Sequence, residues 1–157
     1  MSSDSRPPGL RATSITIAAP PDRVWQVLTD FATYGDWNPF IRAASGDLAL
    51  GGRLEVAILP PGGRAMVFKP VVTALRPNQI FRWKGRLFLP GLFEGDHQFR
   101  LTATPGGTVF DHEERFTGLL PAVMGDEAFA RIERGFTLMN EALRQRADAQ
   151  VRGTSER

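Results

Sequence analysis

The sequence holds two histidines, His97 and His112, and the second stands two residues before Glu114. Imidazole changes charge near neutral pH, and a carboxylate beside it can tune or take its proton. The trio therefore reads in three ways: general acid–base chemistry, polar groups that orient a ligand, or a structural hydrogen-bonded cluster. No HExxH spacing occurs, and no evident carboxylate backs the imidazoles, so no metal is expected. Other chemistry is sparse. With no cysteine, thiolate nucleophiles, disulfides and cysteine-based zinc sites are excluded. Ser14 and Ser45 sit on no nucleophile elbow, and neither phosphate-binding glycine pattern is present, so no nucleotide or other cofactor is expected.

Around this short list lie many rings: 11 Phe, 3 Trp and 1 Tyr in 157 residues. A hydrophobic share of 42% suits a single core, and one domain over residues 11–149 is expected. Residues 1–10 and 150–157 read as disordered tails too polar to offset their ordering entropy. The net charge is only +2, so nucleic acid is not an expected partner. The N-terminus lacks a signal-peptide pattern and no run of about 18 apolar residues occurs, so a cytoplasmic protein without a membrane span is expected.

The elements that must position these residues follow from periodicity. Residues 13–19 (TSITIAA) form a first strand, closed by Pro20 and Pro21, and Val24, Trp25, Val27, Leu28 and Phe31 continue at helical spacing. Tyr34-Gly-Asp-Trp37-Asn38-Pro39-Phe40 reads as irregular, with Asn38 pushed out of the α region by Pro39. Six strands follow, over 41–50, 53–59, 65–75, 79–88, 93–104 and 108–118, punctuated by Gly and Pro pairs. Phe129, Ile132, Phe136, Met139 and Leu143 mark one apolar stripe on a helix over 121–149. This order predicts an α+β helix-grip architecture: a curved antiparallel sheet of about seven strands around a long C-terminal helix, with short helices after the first strand.

Register brings the chemistry together. A Gly106-Gly107 turn, pairing Pro105 with Thr108, places His97 opposite Phe116 and diagonal to Glu114, with Arg100 opposite Glu113 and Gln98 opposite Arg115. A Leu89-Pro90-Gly91 loop places Trp83 opposite His97, Gly85 opposite Gly95, Lys84 opposite Asp96 and Arg86 opposite Glu94. Both histidines and Glu114 then share the face beneath the long helix, among Trp83, Phe99, Phe110, Phe116, Phe136 and Asn140. Gly85, Gly95 and Gly135 suggest incomplete packing there, or bends that curve the sheet. Trp37 and Phe40 either frame the mouth of a cavity or plug the core.

Several stretches resemble the Bet v 1-like, START-related (SRPBCC) superfamily, and within it the bacterial polyketide cyclase/dehydrase and lipid-transport-like branch. They are Ala19-Pro-Pro-Asp22-Arg-Val24-Trp25 through Phe31, Tyr34 to Phe40, Phe93-Glu-Gly-Asp-His97-Gln-Phe99, and Glu114-Arg-Phe116-Thr-Gly-Leu-Leu120. The resemblance spans residues 12–148. It implies a cavity between sheet and C-terminal helix that accepts a small hydrophobic, lipid-like or aromatic molecule. The family's cyclases use Arg, Tyr, His or Asp in the pocket; here Arg82, Arg86 and Arg100 point outward and the one tyrosine is Tyr34. Binding or carriage of an apolar ligand is therefore the leading expectation. The alternatives are a cyclase or dehydratase using His97, His112 and Glu114, and a protein-interaction module or homodimer built on the apolar loop 87–92.

Overall fold

The computed structural model describes residues 9–87 and 89–155. Strand β1 (Leu10–Ile17) leads into helix α1 (Pro21–Thr29), a 3-10 turn at Phe31–Thr33 and the one-turn helix α2 (Tyr34–Trp37). Strands β2 (Ile41–Gly46), β3 (Leu54–Ile58), β4 (Met66–Phe68), β5 (Val71–Arg76), β6 (Ile80–Leu87), β7 (Phe93–Thr104) and β8 (Gly107–Thr117) follow. Helices α3 (Leu119–Val123) and α4 (Asp126–Ser155) close the chain. Leu10 thus opens a strand and α4 runs beyond residue 149; residues 1–8, 156 and 157 of the expected tails lie outside the described residues.

The eight strands form two antiparallel sheets, ordered β1-β8-β7-β6-β5 and β2-β3-β4, and not one meander. The strand expected over 65–75 breaks at Lys69 and Pro70, because proline offers no N–H to a ladder. The sheets remain stitched there: Leu54 N–H donates to Pro70 O (2.9 Å), and Gly51 and Val72 N–H donate to Val72 and Gly52 carbonyls (2.9 Å each).

The β6–β7 register matches the expectation at all four named pairs, including Trp83 with His97 and Gly85 with Gly95. The β7–β8 register is shifted by two residues from the expected one: His97 faces Glu114, Gln98 faces Glu113, Phe99 faces His112 and Arg100 faces Asp111. The turn is built by Pro105 and Gly106, with Thr104 paired to Gly107, since proline presets φ for the first central position of a tight turn. Gly107 takes φ 140° against the Ile17 carbonyl, where a Cβ would collide. A slip of two preserves the inward and outward faces, so the aromatic and histidine side chains still point into the core.

The expected helix 121–149 is two helices. Met124 adopts extended backbone (φ −69°, ψ 129°), and α4 restarts with Asp126 and Glu127 in its first turn, where acidic groups favour the helix dipole. Phe129, Ile132, Phe136, Met139 and Leu143 are all buried, as their spacing requires. The helix packs chiefly on β1 and α1. Tyr34 to Trp37, expected to be irregular, coil into α2, while Asn38 is extended (φ −86°, ψ 111°) as the residue before proline should be.

Candidate functional site

His97 on β7 and His112 on β8 are both fully buried on the concave face of the larger sheet. Their Nε2 atoms lie 2.7 Å apart, in hydrogen-bond contact. His112 Nδ1 lies 2.9 Å from Asn140 Oδ1 on α4, and Asn140 Nδ2 donates to Thr13 Oγ1 on β1 at 2.8 Å. Thr13 Oγ1 in turn donates to the His112 carbonyl (3.2 Å). Three strands and the long helix therefore share one polar thread. Burial and the neighbouring His97 push the His112 pKa well below the ordinary imidazole value, with only partial opposition from Asn140. His112 is a neutral ring at physiological pH.

At the other end of the thread, His97 Nδ1 lies 3.1 Å from Glu114 Oε2, yet off the line of a hydrogen bond, so this buried nitrogen has no hydrogen-bond partner among the described residues. Trp83 stacks on His97 (centroids 5.0 Å apart) and Phe136 on His112 (4.1 Å). Phe99 packs against both imidazoles, Phe110 against Phe99, and Phe116 against Phe93 and Phe129.

Aromatic side chains pack closely under the helix. Phe40, one of the two residues expected at a mouth, is 2% exposed, and its ring lies on Gly135 where a Cβ would run into it. It also meets Phe136 edge-on (5.5 Å). Trp37 is half-buried, edge-on to Tyr34 (5.3 Å), with its indole N–H unpartnered. Pro70 packs on Gly85, and Oε1 of Glu114 occupies the place of a side chain on Gly95. The glycines thus make room for neighbours.

A cleft of about 20 Å³ lies between the two sheets, bounded by Val56, Ile58 and Phe68 on the small sheet and by Trp83, Gly95 and Glu114 on the large one. The residues that line it come from the two sheets and the Pro70 link and none from α4, whereas the cavity was expected between sheet and helix, where Phe40 and Phe136 pack against each other. The small-sheet residues and Thr13 went unnoticed in the sequence; the alternation Leu54-Glu-Val56-Ala-Ile58 was the available signal. A larger hollow of about 730 Å³ is an outer groove lined by Arg53, Glu55, Lys69, Lys84 and Glu94. It is open and charged, and none of the buried thread reaches it, so its size does not make it the apolar site.

The profile of the family described as "Polyketide cyclase / dehydrase and lipid transport" matches residues 12–148. No curated protein matches. Among solved structures, protein MLL2253 from Mesorhizobium loti is similar at 25% identity, over 89% of this chain and 97% of that one, with a TM-score of 0.69. The Zhui aromatase/cyclase from Streptomyces sp. R1128 (18% identity, 90% and 94% covered, TM-score 0.72) shares the fold. So does a START superfamily protein from Mycobacterium smegmatis (19%, 90% and 98%, 0.71).

Proposed function

Because this chain belongs to the polyketide cyclase/dehydrase and lipid transport family, we propose that it binds a small, mainly apolar molecule in the cleft between its two sheets. The observation that carries this reading is the composition of the cleft wall: Val56, Ile58, Phe68 and Trp83 surround a single carboxyl group, that of Glu114. An apolar enclosure with one placed polar group fixes a ligand's orientation while burial supplies its affinity. A volume near 20 Å³ holds about one water, so a ligand enters as the small sheet moves outward. The three-residue edge strand β4, hinged at Pro70 and carrying half-buried Phe68, is the element that yields.

The test uses N-phenyl-1-naphthylamine, a neutral aromatic probe that fluoresces in apolar surroundings. Phe68→Ala removes a ring from the cleft wall and so enlarges it, raising probe affinity several-fold over the unmodified chain. Absence of binding by both proteins rejects the cleft as a ligand site.

A second reading, proton-transfer catalysis on the bound molecule, is favoured by the link from Glu114 to His97 and His112. Glu114 would act as the base, with its Oε2 beside His97 Nδ1. Its mark is a substrate whose turnover falls at least a hundredfold in Glu114→Gln while its binding persists; turnover unchanged in that variant rejects catalysis.

A further inference from the structure

The hydrogen-bond thread restricts what Glu114 can offer a ligand. With Asn140 Nδ2 donating to Thr13, His112 Nδ1–H donates to Asn140 and His97 Nε2–H donates to His112. Thr13 Oγ1 spends its one hydrogen on the His112 carbonyl and so accepts from Asn140, which fixes the sense of the amide. His97 Nδ1, at the end of the thread, lies beside Glu114 Oε2. Glu114 Oε2 is thus the carboxyl oxygen turned to the end of the thread. The other carboxyl oxygen, Oε1, takes no part in the thread.

Oε1 is the oxygen that lies over Gly95 in the cleft wall. We infer that Glu114 presents a bare hydrogen-bond acceptor to the cleft, and that the ligand is an apolar molecule bearing a hydroxyl or N–H donor, as a phenol or enol does, and not a carboxylate. This rests on the cleft being the ligand site. A carboxylate would bring acceptor against acceptor in apolar surroundings, where an unmatched pair is costly. A donor satisfies Oε1 at the moment water is excluded. Gly95 is part of the device, since any side chain there would drive the carboxyl group away.

Three probes with one ring system separate the possibilities: naphthalene, 2-naphthol and 2-naphthoate, measured by equilibrium dialysis at neutral pH. One hydrogen bond in a dry site corresponds to about tenfold in affinity, so 2-naphthol binds about tenfold tighter than naphthalene, against the order of their hydrophobicity. The naphthoate binds weakest. In Glu114→Leu the preference for naphthol disappears while naphthalene still binds, which also reports that the variant is folded. Equal binding of naphthol and naphthalene by the unmodified chain, or tightest binding of the naphthoate, overturns the acceptor assignment and leaves the cleft reading standing. If neither neutral probe binds, the cleft reading falls and the assignment with it.

Discussion

Among the individual residues, His112 has the least freedom. Its ring is stacked on Phe136, bonded to His97 and Asn140, and its pKa is held well below the usual range by burial and by His97. In the unfolded chain it would titrate near the ordinary value of about 6.5, so below that pH the unfolded state takes up a proton that the folded state refuses. The sign is definite: stability is retained above about pH 6.5 and declines as pH falls towards the depressed folded value, by at most about 1.4 kcal/mol per pH unit for one proton. Urea unfolding between pH 7.5 and 5.5 checks the decline, and the ring-proton NMR shift of His112 checks its source. A His112 resonance that titrates near 6.5 in the folded protein contradicts the assignment. Trp83 and Phe99 were recognisable as partners of the histidines from strand parity alone, because alternation assigns faces whatever the register. Thr13 was not, since its role depends on β1 pairing with β8 from the far end of the chain.

Among the elements, the contact between α4 and the segment after α2 decides whether a cavity survives under the helix. Gly135 lets Phe40 lie against the helix backbone, and the Asn38 side chain holds that segment by accepting from the Phe40 and Ile41 N–H groups (3.0 and 2.8 Å). Gly135→Ala sets two effects against each other. Helix propensity favours alanine by about 1 kcal/mol, whereas overpacking against a rigid ring between α4 and β2 costs about 1–3 kcal/mol. Phe40 is stacked edge-on to Phe136 and has nowhere to retreat, so a net loss of about 1 kcal/mol is expected in thermal or urea unfolding. A stabilised variant would show that Phe40 moves freely, and would reopen the space under the helix. The outer-face ion pairs offer a contrast. Lys84 and Arg86 stand opposite Asp96 and Glu94 in register, yet Arg82 takes Asp96 and Lys84 reaches Glu94 at 3.9 Å. Such diagonal pairs support the register; the looser Lys84–Glu94 contact adds little stability, whereas Arg82 holds both oxygens of part-buried Asp96.

For the whole molecule, the division into two sheets matters most. The larger sheet contains the long β7–β8 ladder and the buried histidines, whereas β4 has three residues and lies at the edge of the smaller sheet. Local opening should follow that asymmetry. Amide hydrogen exchange is expected to be slowest in the middle of β7 and β8 and at least a hundredfold faster in β4, with β3 between them. Protection of β4 equal to that of β7 would rule out movement of the small sheet as the route into the cleft. At the same end of the molecule, Leu89, Leu119 and Val123 are more than 70% exposed, and Leu119 and Leu120 N–H donate to the Gly91 and Leu92 carbonyls. The apolar loop expected at 87–92 is thus tied to α3, although Phe88 and the Leu87 side chain lie outside the described residues. Among the described residues, no helix is long and apolar enough to cross a membrane.

The sequence by itself determined the fold class, the order of the elements and the side of the sheet on which His97, His112 and Glu114 stand. These follow from local periodicity: alternation of period two assigns a face, and apolar spacing of three and four assigns a helix. It resolved one hairpin register and missed the other by two residues, because two turns around Pro105, Gly106 and Gly107 keep the same parity and differ only in which glycine approaches β1. Only the tertiary structure decided that Pro70 parts the strands into two sheets, that Phe40 fills the space at Gly135, and that Glu114 closes over Gly95. Each is a matter of volume between segments distant in sequence, and close packing has no signature in a single chain's pattern. The open cleft consequently lies between the sheets, with one carboxyl oxygen facing it.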